Sequence, residues 1–364
     1  LCGYARRSRG STELAEVLVW RQNSWPRMST HLRDTTLALV FAAILLAGCA
    51  TRQPSGPEVA AAPPKPYLRV ARETNGTVTL ETAARMFQPP SKRGPAVCLV
   101  GVTHLGTASY YSALQGLLNR QACVLFEGVG ATNKQFRKRI EGQFHLQDAL
   151  ARALGLEFQL NAIDYSPSHF RNSDLTPAQI HELLGAAAAE DDPDAEVDPG
   201  NEFNQLLSVM EGSGLFGGLA RMGVGFLAAS PRLQVVTKVM LIELLSEVSA
   251  DMQELAAGAP GLQRLLEVLI ERRDEVVIRD IRAAVAAQRK PYGGVAVFYG
   301  AGHMSDLEER LRSELGYKPA EDSWFPAFSA NPGEAGLSER ETEWLRRLLR
   351  SQMQGLRPSK TGSR

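Results

Sequence analysis

From residue 78 onward, short unbroken apolar runs alternate with longer stretches in which apolar residues recur at helical spacing. Pro95–Val102 (P-A-V-C-L-V-G-V), Ala122–Phe126 (A-C-V-L-F) and Gly294–Tyr299 (G-V-A-V-F-Y) are continuous apolar runs. Such runs suit strands buried on both faces. Val78–Met86 reads as a short strand and turn, and Phe158–Ile163 as a third core strand. Ala108–Asn119 has Tyr111, Leu114, Leu117 and Leu118 on one helical face, and Leu146–Leu154 also reads as a helix. Thr176-Pro177 has the form of a helix start, with Thr176 as N-cap. Phe203–Gln288 reads as mostly helical, broken by a Gly-rich stretch at Gly212–Gly225. Helices follow at Ser305–Leu315 and Ser338–Gln354, the second opened by a Ser338/Glu341 capping box. Strands alternating with helices predict an α/β fold. Its central sheet is mostly parallel with flanking helices, and a helical lobe over residues 203–288 is inserted before the last core strand.

The 364 residues carry 40 Lys+Arg against 40 Asp+Glu. With no basic excess to neutralise phosphates, a nucleic-acid binder is not expected. A hydrophobic content of 44% is that of a globular protein. Four cysteines are too few for a disulfide scaffold. Cys98 and Cys123 fall in buried strands that read as possible neighbours, with buried thiols as the default.

The first seventy residues read as addressing. Leu1–Arg27 is basic, patternless and ends before Met28, as expected for an upstream extension of the reading frame. Residues 28–48 have a polar start, a short apolar core (Thr36–Leu46) and small residues, the form of a secretory signal. Leu46-Ala47-Gly48-Cys49 resembles a bacterial lipobox. That resemblance implies acylation of Cys49, with palmitate among the acyl chains, and a mature chain beginning there. Ala50 in place of Asp implies, by similarity to Gram-negative sorting rules, an outer-membrane lipoprotein facing the periplasm. Five prolines in Thr51–Pro66 exclude helix and central strand, so residues 49–72 are expected to be a tether. The globular domain is then expected over 73–330 and a C-terminal helix and tail over 331–364.

The chemistry concentrates at strand ends. The first core strand runs into Gly101-Val102-Thr103-His104 and the last into Gly300-Ala301-Gly302-His303; the strand at Cys123 ends at Glu127-Gly128. Polar residues at the carboxyl ends of parallel strands meet in one crevice, where open α/β sheets bind ligands. The glycines there permit sharp turns or close backbone approach. His104, His303 and Glu127 could supply a first shell for Zn²⁺, Mn²⁺, Co²⁺ or Fe²⁺. Equally, one imidazole could act as a metal-free general base. Arg273 falls on the apolar track of a helix spanning Gly261–Ala287, where periodicity calls for Leu. A buried charge needs a partner, so Arg273 should meet an acid or a bound anion. Asp274 and Arg279 read as leaning to other faces.

GVTH, GAGH, the Glu in V-L-F-E-G-V, the helix R-R-D-E-V-V-I-R-D-I and above all V-A-V-F-Y-G-A-G-H-M-S-D-L-E-E-R-L resemble the TraB/GumN family, which includes the TIKI proteases and is similar in fold to the erythromycin-esterase and ChaN-like group. The resemblance covers roughly Ala96–Tyr317. It implies motif histidines at His104 and His303, the family acid at Glu127 and the helix arginine at Arg273, with Asp274 standing where Asn is usual. It further implies a metal-dependent hydrolase, with peptides as the candidate substrate, in which the metal activates water or Glu127 acts as base, and Arg273 orients the acid or stabilises an oxyanion. The alternatives are a haem- or metal-binding lipoprotein of ChaN-like type without turnover, and a non-catalytic member that docks a partner.

Other motifs fail on context. Gly212–Gly217 fits G-x-G-x-x-G but follows a helical pattern instead of a strand. Gly214–Ala229, apolar apart from Arg221, reads as helix packing in the lobe or a contact with a bilayer or partner. His181-Glu182 lacks the second zincin histidine, Gly185 standing there, and no G-x-S-x-G elbow occurs. His145 and His169 carry no supporting partner in the sequence.

Overall fold

The computed structural model describes residues 64–91, 94–128, 146–176, 178–183, 222–256, 267–288 and 293–356. The expectations for the upstream extension, the signal segment, Cys49 and most of the tether lie outside the described residues. So do those for His145, most of Gly212–Gly225, residues 261–266 and the end of the C-terminal tail.

In chain order the elements are β1 (Leu68–Arg72), β2 (Val78–Gln88), β3 (Val97–Val102), β4 (Leu105–Gly106), α1 (Ala108–Leu118), β5 (Cys123–Phe126), α2 (Leu146–Ala153), β6 (Glu157–Phe158), α3 (Gln159–Ala162) and β7 (Phe170–Asn172). There follow α4 (Pro231–Ala256), a π turn at Glu267–Glu271 running into α5 (Arg272–Ala287), β8 (Val295–Gly300), α6 (Met304–Ser313), β9 (Lys318–Ala330) and α7 (Glu339–Leu356). Residues 178–183 and 222–228 are also helical.

The fold is α/β with a seven-stranded, mostly parallel central sheet. Four neighbouring strands, in the order β3-β8-β5-β7, run parallel. All residues of β3, β5 and β8 are buried, as unbroken apolar runs require when both faces are covered. The last of these strands in sequence, β8, inserts between β3 and β5. Its registers (Val102↔Gly300, Phe126↔Phe298) bring three carboxyl ends level. The antiparallel remainder hangs on β2. One edge of β2 pairs along its length with β9; the other pairs first with β1 and then with β3. Helices α4 and α5 belong to the block that precedes β8, as the inserted lobe requires.

Three readings need correction. Phe158–Ile163 is a two-residue strand followed by a helical turn, and the third parallel strand is Phe170–Asn172. Leu68–Arg72, within the stretch assigned to the tether, is strand β1. Cys98 and Cys123 are free, and β8 separates them, since Cys98 pairs across to Ala296 and Cys123 to Val295.

A buried ion cluster knits the antiparallel part to α6. Arg85, on β2 and 2% exposed, donates from Nε to Asp322 Oδ1 at 2.7 Å and from NH1 to Glu308 Oε2 at 2.6 Å. The Tyr67 hydroxyl donates to the same Glu308 oxygen at 2.8 Å, and its ring lies 4.3 Å from the Arg85 guanidinium carbon. Because α6 begins immediately after His303, this cluster holds the helix on which that histidine is seated.

Candidate active site

Arg273 is the hub of the site. It occupies the first turn of α5, is 6% exposed, and turns its planar fork toward two strand ends. Nε and NH2 each lie 2.7 Å from one oxygen of Asp174, and NH2 donates to Glu127 Oε1 at 2.7 Å. NH1 donates to the Leu269 carbonyl at 3.1 Å. The acid expected for this buried charge is thus a pair of acids, in the bidentate geometry that suits arginine.

Glu127 follows β5 directly. Its Oε2 accepts from the Gly300 amide at 2.8 Å, so the carboxylate bridges Arg273 to the end of β8. Burial alone would raise its pKa; Arg273 first, then His303, His104 and the Gly300 N–H outweigh that and hold it far below the usual carboxylate range. Both motif histidines therefore act on this one carboxylate, and His303 Nε2 lies 3.9 Å from Glu127 Oε1.

His303 is 1% exposed. Its Nδ1 donates to Asp274 Oδ1 at 2.7 Å, and Nε2 lies 3.5 Å from Arg273 NH1. Its ring meets that of Tyr299 edge-on, with centroids 5.2 Å apart. Burial opposes its charge, but the Asp274 carboxylate and Glu127 prevail and raise the imidazole pKa. Asp274, 0% exposed, is itself pushed up to about 7, by burial first and in part by Asp306. Its Oδ2 is buried and accepts no hydrogen bond. Asp306 is held in turn by Arg310, whose Nε donates to Asp306 Oδ2 at 2.7 Å. The sequence reading had Asp274 leaning away from the apolar track; it faces inward because His303, at the head of α6, stands against the start of α5.

His104 differs from His303 in being half-buried. Its Nδ1 lies 2.7 Å from Gln159 Oε1. The Gln159 amide nitrogen donates to the Tyr165 hydroxyl at 3.1 Å, which turns Oε1 toward the imidazole. His104 therefore carries its proton on Nδ1, leaving the Nε2 lone pair open. The backbone is pinned as well, since Gln159 N donates to the His104 carbonyl at 2.9 Å.

Gly101 owes its presence to contact instead of conformation, since its φ is not positive. A Cβ on Gly101 would stand 3.3 Å from the Cα of Ala301, so the two motif loops nearly touch.

The structure brings His303, Glu127 and Arg273 into direct contact and sets His104 where its charge is felt by Glu127. Cys49 lies outside the described residues. Sequence reasoning missed Asp174, Gln159 and the inward role of Asp274. Asp174 lies just past the unrecognised β7, so the strand-end rule would have found it. Gln159 gave no signal, being masked by the strand expected over Phe158–Ile163.

Among the described residues no group of three or more His, Cys, Asp or Glu side chains is arranged to hold a metal ion. The proposed first shell does not fit a cation in this arrangement. Both Glu127 oxygens are engaged, His303 Nδ1 is bound to Asp274, and His303 Nε2 faces a guanidinium that would repel a second positive charge.

No family model, curated protein or solved structure matches the chain.

Proposed function

We propose that this chain is a hydrolase of the TraB/GumN kind, acting on peptide or small-molecule bonds while anchored through Cys49 as an outer-membrane lipoprotein on the periplasmic side. The observation that carries the reading is that two Gly-x-x-His motifs follow adjacent parallel strands whose ends nearly touch, with His303 beside a carboxylate locked by a buried arginine. Ionisable groups this heavily perturbed, at the carboxyl edge of a parallel sheet, are characteristic of catalytic sites.

The arrangement supports a division of labour. His104 Nε2, with its lone pair open and its other nitrogen fixed by Gln159, takes a proton from water as that water attacks a carbonyl. Arg273 NH1, with His303 Nε2 3.5 Å away, offers positive charge to the oxyanion that forms. Glu127 is the counter-charge that holds Arg273 in place; as the tetrahedral adduct collapses, the bond to the leaving group breaks and the proton taken up by His104 passes to the departing atom. No step passes through a metal.

The test is turnover. The full chain is assayed against a peptide library, with His104→Ala in parallel and its fold checked by circular dichroism. Cleavage by the parent and its loss in the variant support the reading; a folded parent without any cleavage refutes it. A haem-capturing lipoprotein of ChaN-like type is the second reading, favoured by the open Nε2 of the half-buried His104. Haem titration separates the two: a Soret shift lost in His104→Ala, without cleavage, selects capture.

A further inference from the structure

Five large apolar side chains stand exposed among the described residues: Met222, Phe226, Leu233, Trp344 and Leu348. All five come from two adjoining regions, the segment 222–233 and α7. The exposure is not marginal, reaching 73% at Phe226 and 58% at Trp344. Helical spacing places Met222 and Phe226 one turn apart, and Trp344 and Leu348 likewise. The Arg232–Glu341 ion pair, at 3.0 Å, joins the start of α4, beside Leu233, to the first turn of α7.

Around Trp344 and Leu348, α7 carries four arginines (Arg340, Arg346, Arg347 and Arg350) against three glutamates (Glu339, Glu341 and Glu343). On the turn of α7 that carries Trp344 and Leu348 lie Arg340 and Arg347, both exposed. Glu341, on the same face, is already taken by Arg232 and by the Ser338 cap. Glu343 is the single carboxylate approached by Arg346, Arg347 and Arg350, at 3.9, 3.9 and 3.6 Å. Trp, Leu and Phe side chains set among arginines match an anionic bilayer surface, where indole rings settle at the headgroup level and guanidinium groups meet phosphates. A second copy of the chain fits poorly, because a two-fold contact through this face would set arginines against arginines.

The position of the face agrees. Glu243 on α4 is clasped by Arg72 of β1 at 2.7 Å and by Arg346 of α7 at 2.8 Å. The face is therefore fixed beside the first strand after residue 64. From Cys49 to Leu68 the chain can reach at most roughly 65 Å, so an anchor at Cys49 would keep α7 near the membrane.

We infer that α7 and the 222–233 segment form a membrane-docking face that seats Trp344, Leu348 and Phe226 in the headgroup layer of an anionic phospholipid bilayer and so orients the tethered domain. The inference stands whether or not the histidine site turns over substrate; it shares with the proposed function only the nearness of a bilayer.

The experiment uses the full chain reconstituted into vesicles of phosphatidylethanolamine with admixed phosphatidylglycerol, the acyl chains brominated to quench nearby indoles. The difference between the parent and Trp344→Phe isolates the Trp344 emission from that of the other tryptophans. The expected result is blue-shifted, quenched Trp344 emission. It should reverse in phosphatidylcholine vesicles or at high salt, and the charge reversals Arg340→Glu and Arg347→Glu should each weaken it about fivefold. These two positions are exposed, so the variants keep the fold, which thermal melting checks. Trp344 emission indifferent to brominated lipid overturns the inference. So does a concentration-dependent doubling of mass that buries Trp344 without lipid, which would make the face a self-association surface.

Discussion

Replacing Arg273 by Met leaves two buried carboxylates without their cation. Asp174 is 0% and Glu127 13% exposed at the side chain, and Arg273 itself is 7% exposed, so water can do little for the orphaned charges. Breaking one buried pair costs about 3–5 kcal/mol. Here two pairs break, but backbone amides offset part of the loss. Gly300 still donates to Glu127 at 2.8 Å, and Leu175 and Gly128 to Asp174 at 2.7 and 3.0 Å. The expected loss at neutral pH is therefore about 4 kcal/mol, a large part of the roughly 5–15 kcal/mol that holds a domain folded. Urea unfolding by linear extrapolation reads it directly. The pH dependence has a definite sign. The Glu127 carboxyl is held below its ordinary 4.5, so its contribution is present above that value and is lost as pH falls toward its folded value. The gap between parent and variant should therefore narrow in acid. Arg273→Lys should recover only a fraction, because an ammonium cannot span Asp174 and Glu127 as the guanidinium fork does. A loss below about 1 kcal/mol at neutral pH, at the level of an exposed pair, would refute the assignment of Arg273 as the site's buried cation.

Further outcomes follow from the same geometry. Asp274→Asn should lower the His303 pKa, seen in the imidazole NMR titration, because the carboxylate that favours its charge is gone. The same change should flatten stability between about pH 4 and pH 7: a buried acid pushed up to about 7 stabilises least once pH has risen through that value. Gln159→Leu should reduce kcat by about tenfold or more with KM little changed, since His104 loses the partner that fixes its tautomer, and Gln159→Glu should recover part of the rate. Activity, where found, should survive exhaustive chelation, because both Glu127 oxygens and His303 Nδ1 are already engaged by protein groups; loss restored by one divalent metal would overturn that point. Arg85→Met should cost about 3–5 kcal/mol by thermal or urea unfolding, as it strands Glu308 and Asp322.

Much of the parallel core was legible because its physics is local. The runs at Cys98, Cys123 and Val295 are continuous and apolar, so burial on both faces follows from composition alone, and polar residues just beyond them mark the crevice. Arg273 was legible as an anomaly on an apolar stripe. What escaped depends on long-range pairing. The outer strand β9 (Lys318–Ala330) is mostly exposed, has no continuous apolar run and carries two prolines, and is a strand because β2 offers it a full-length edge. The three-residue β7 has one large apolar side chain, Phe170, and owes its place to β5. Asp174 was lost with it. Asp274 could not be placed, since only the docking of α6 against α5 turns a polar neighbour of Arg273 into the partner of His303.

The account's central claim is that His104 and His303, far apart in sequence, serve one site. A double-mutant cycle on turnover tests it: kcat/KM of the parent, His104→Ala, His303→Ala and the double variant on one substrate. Members of a single catalytic unit are strongly non-additive, so the double variant should lose no more than the worse single variant. Losses that multiply, as for independent sites, would contradict the shared site.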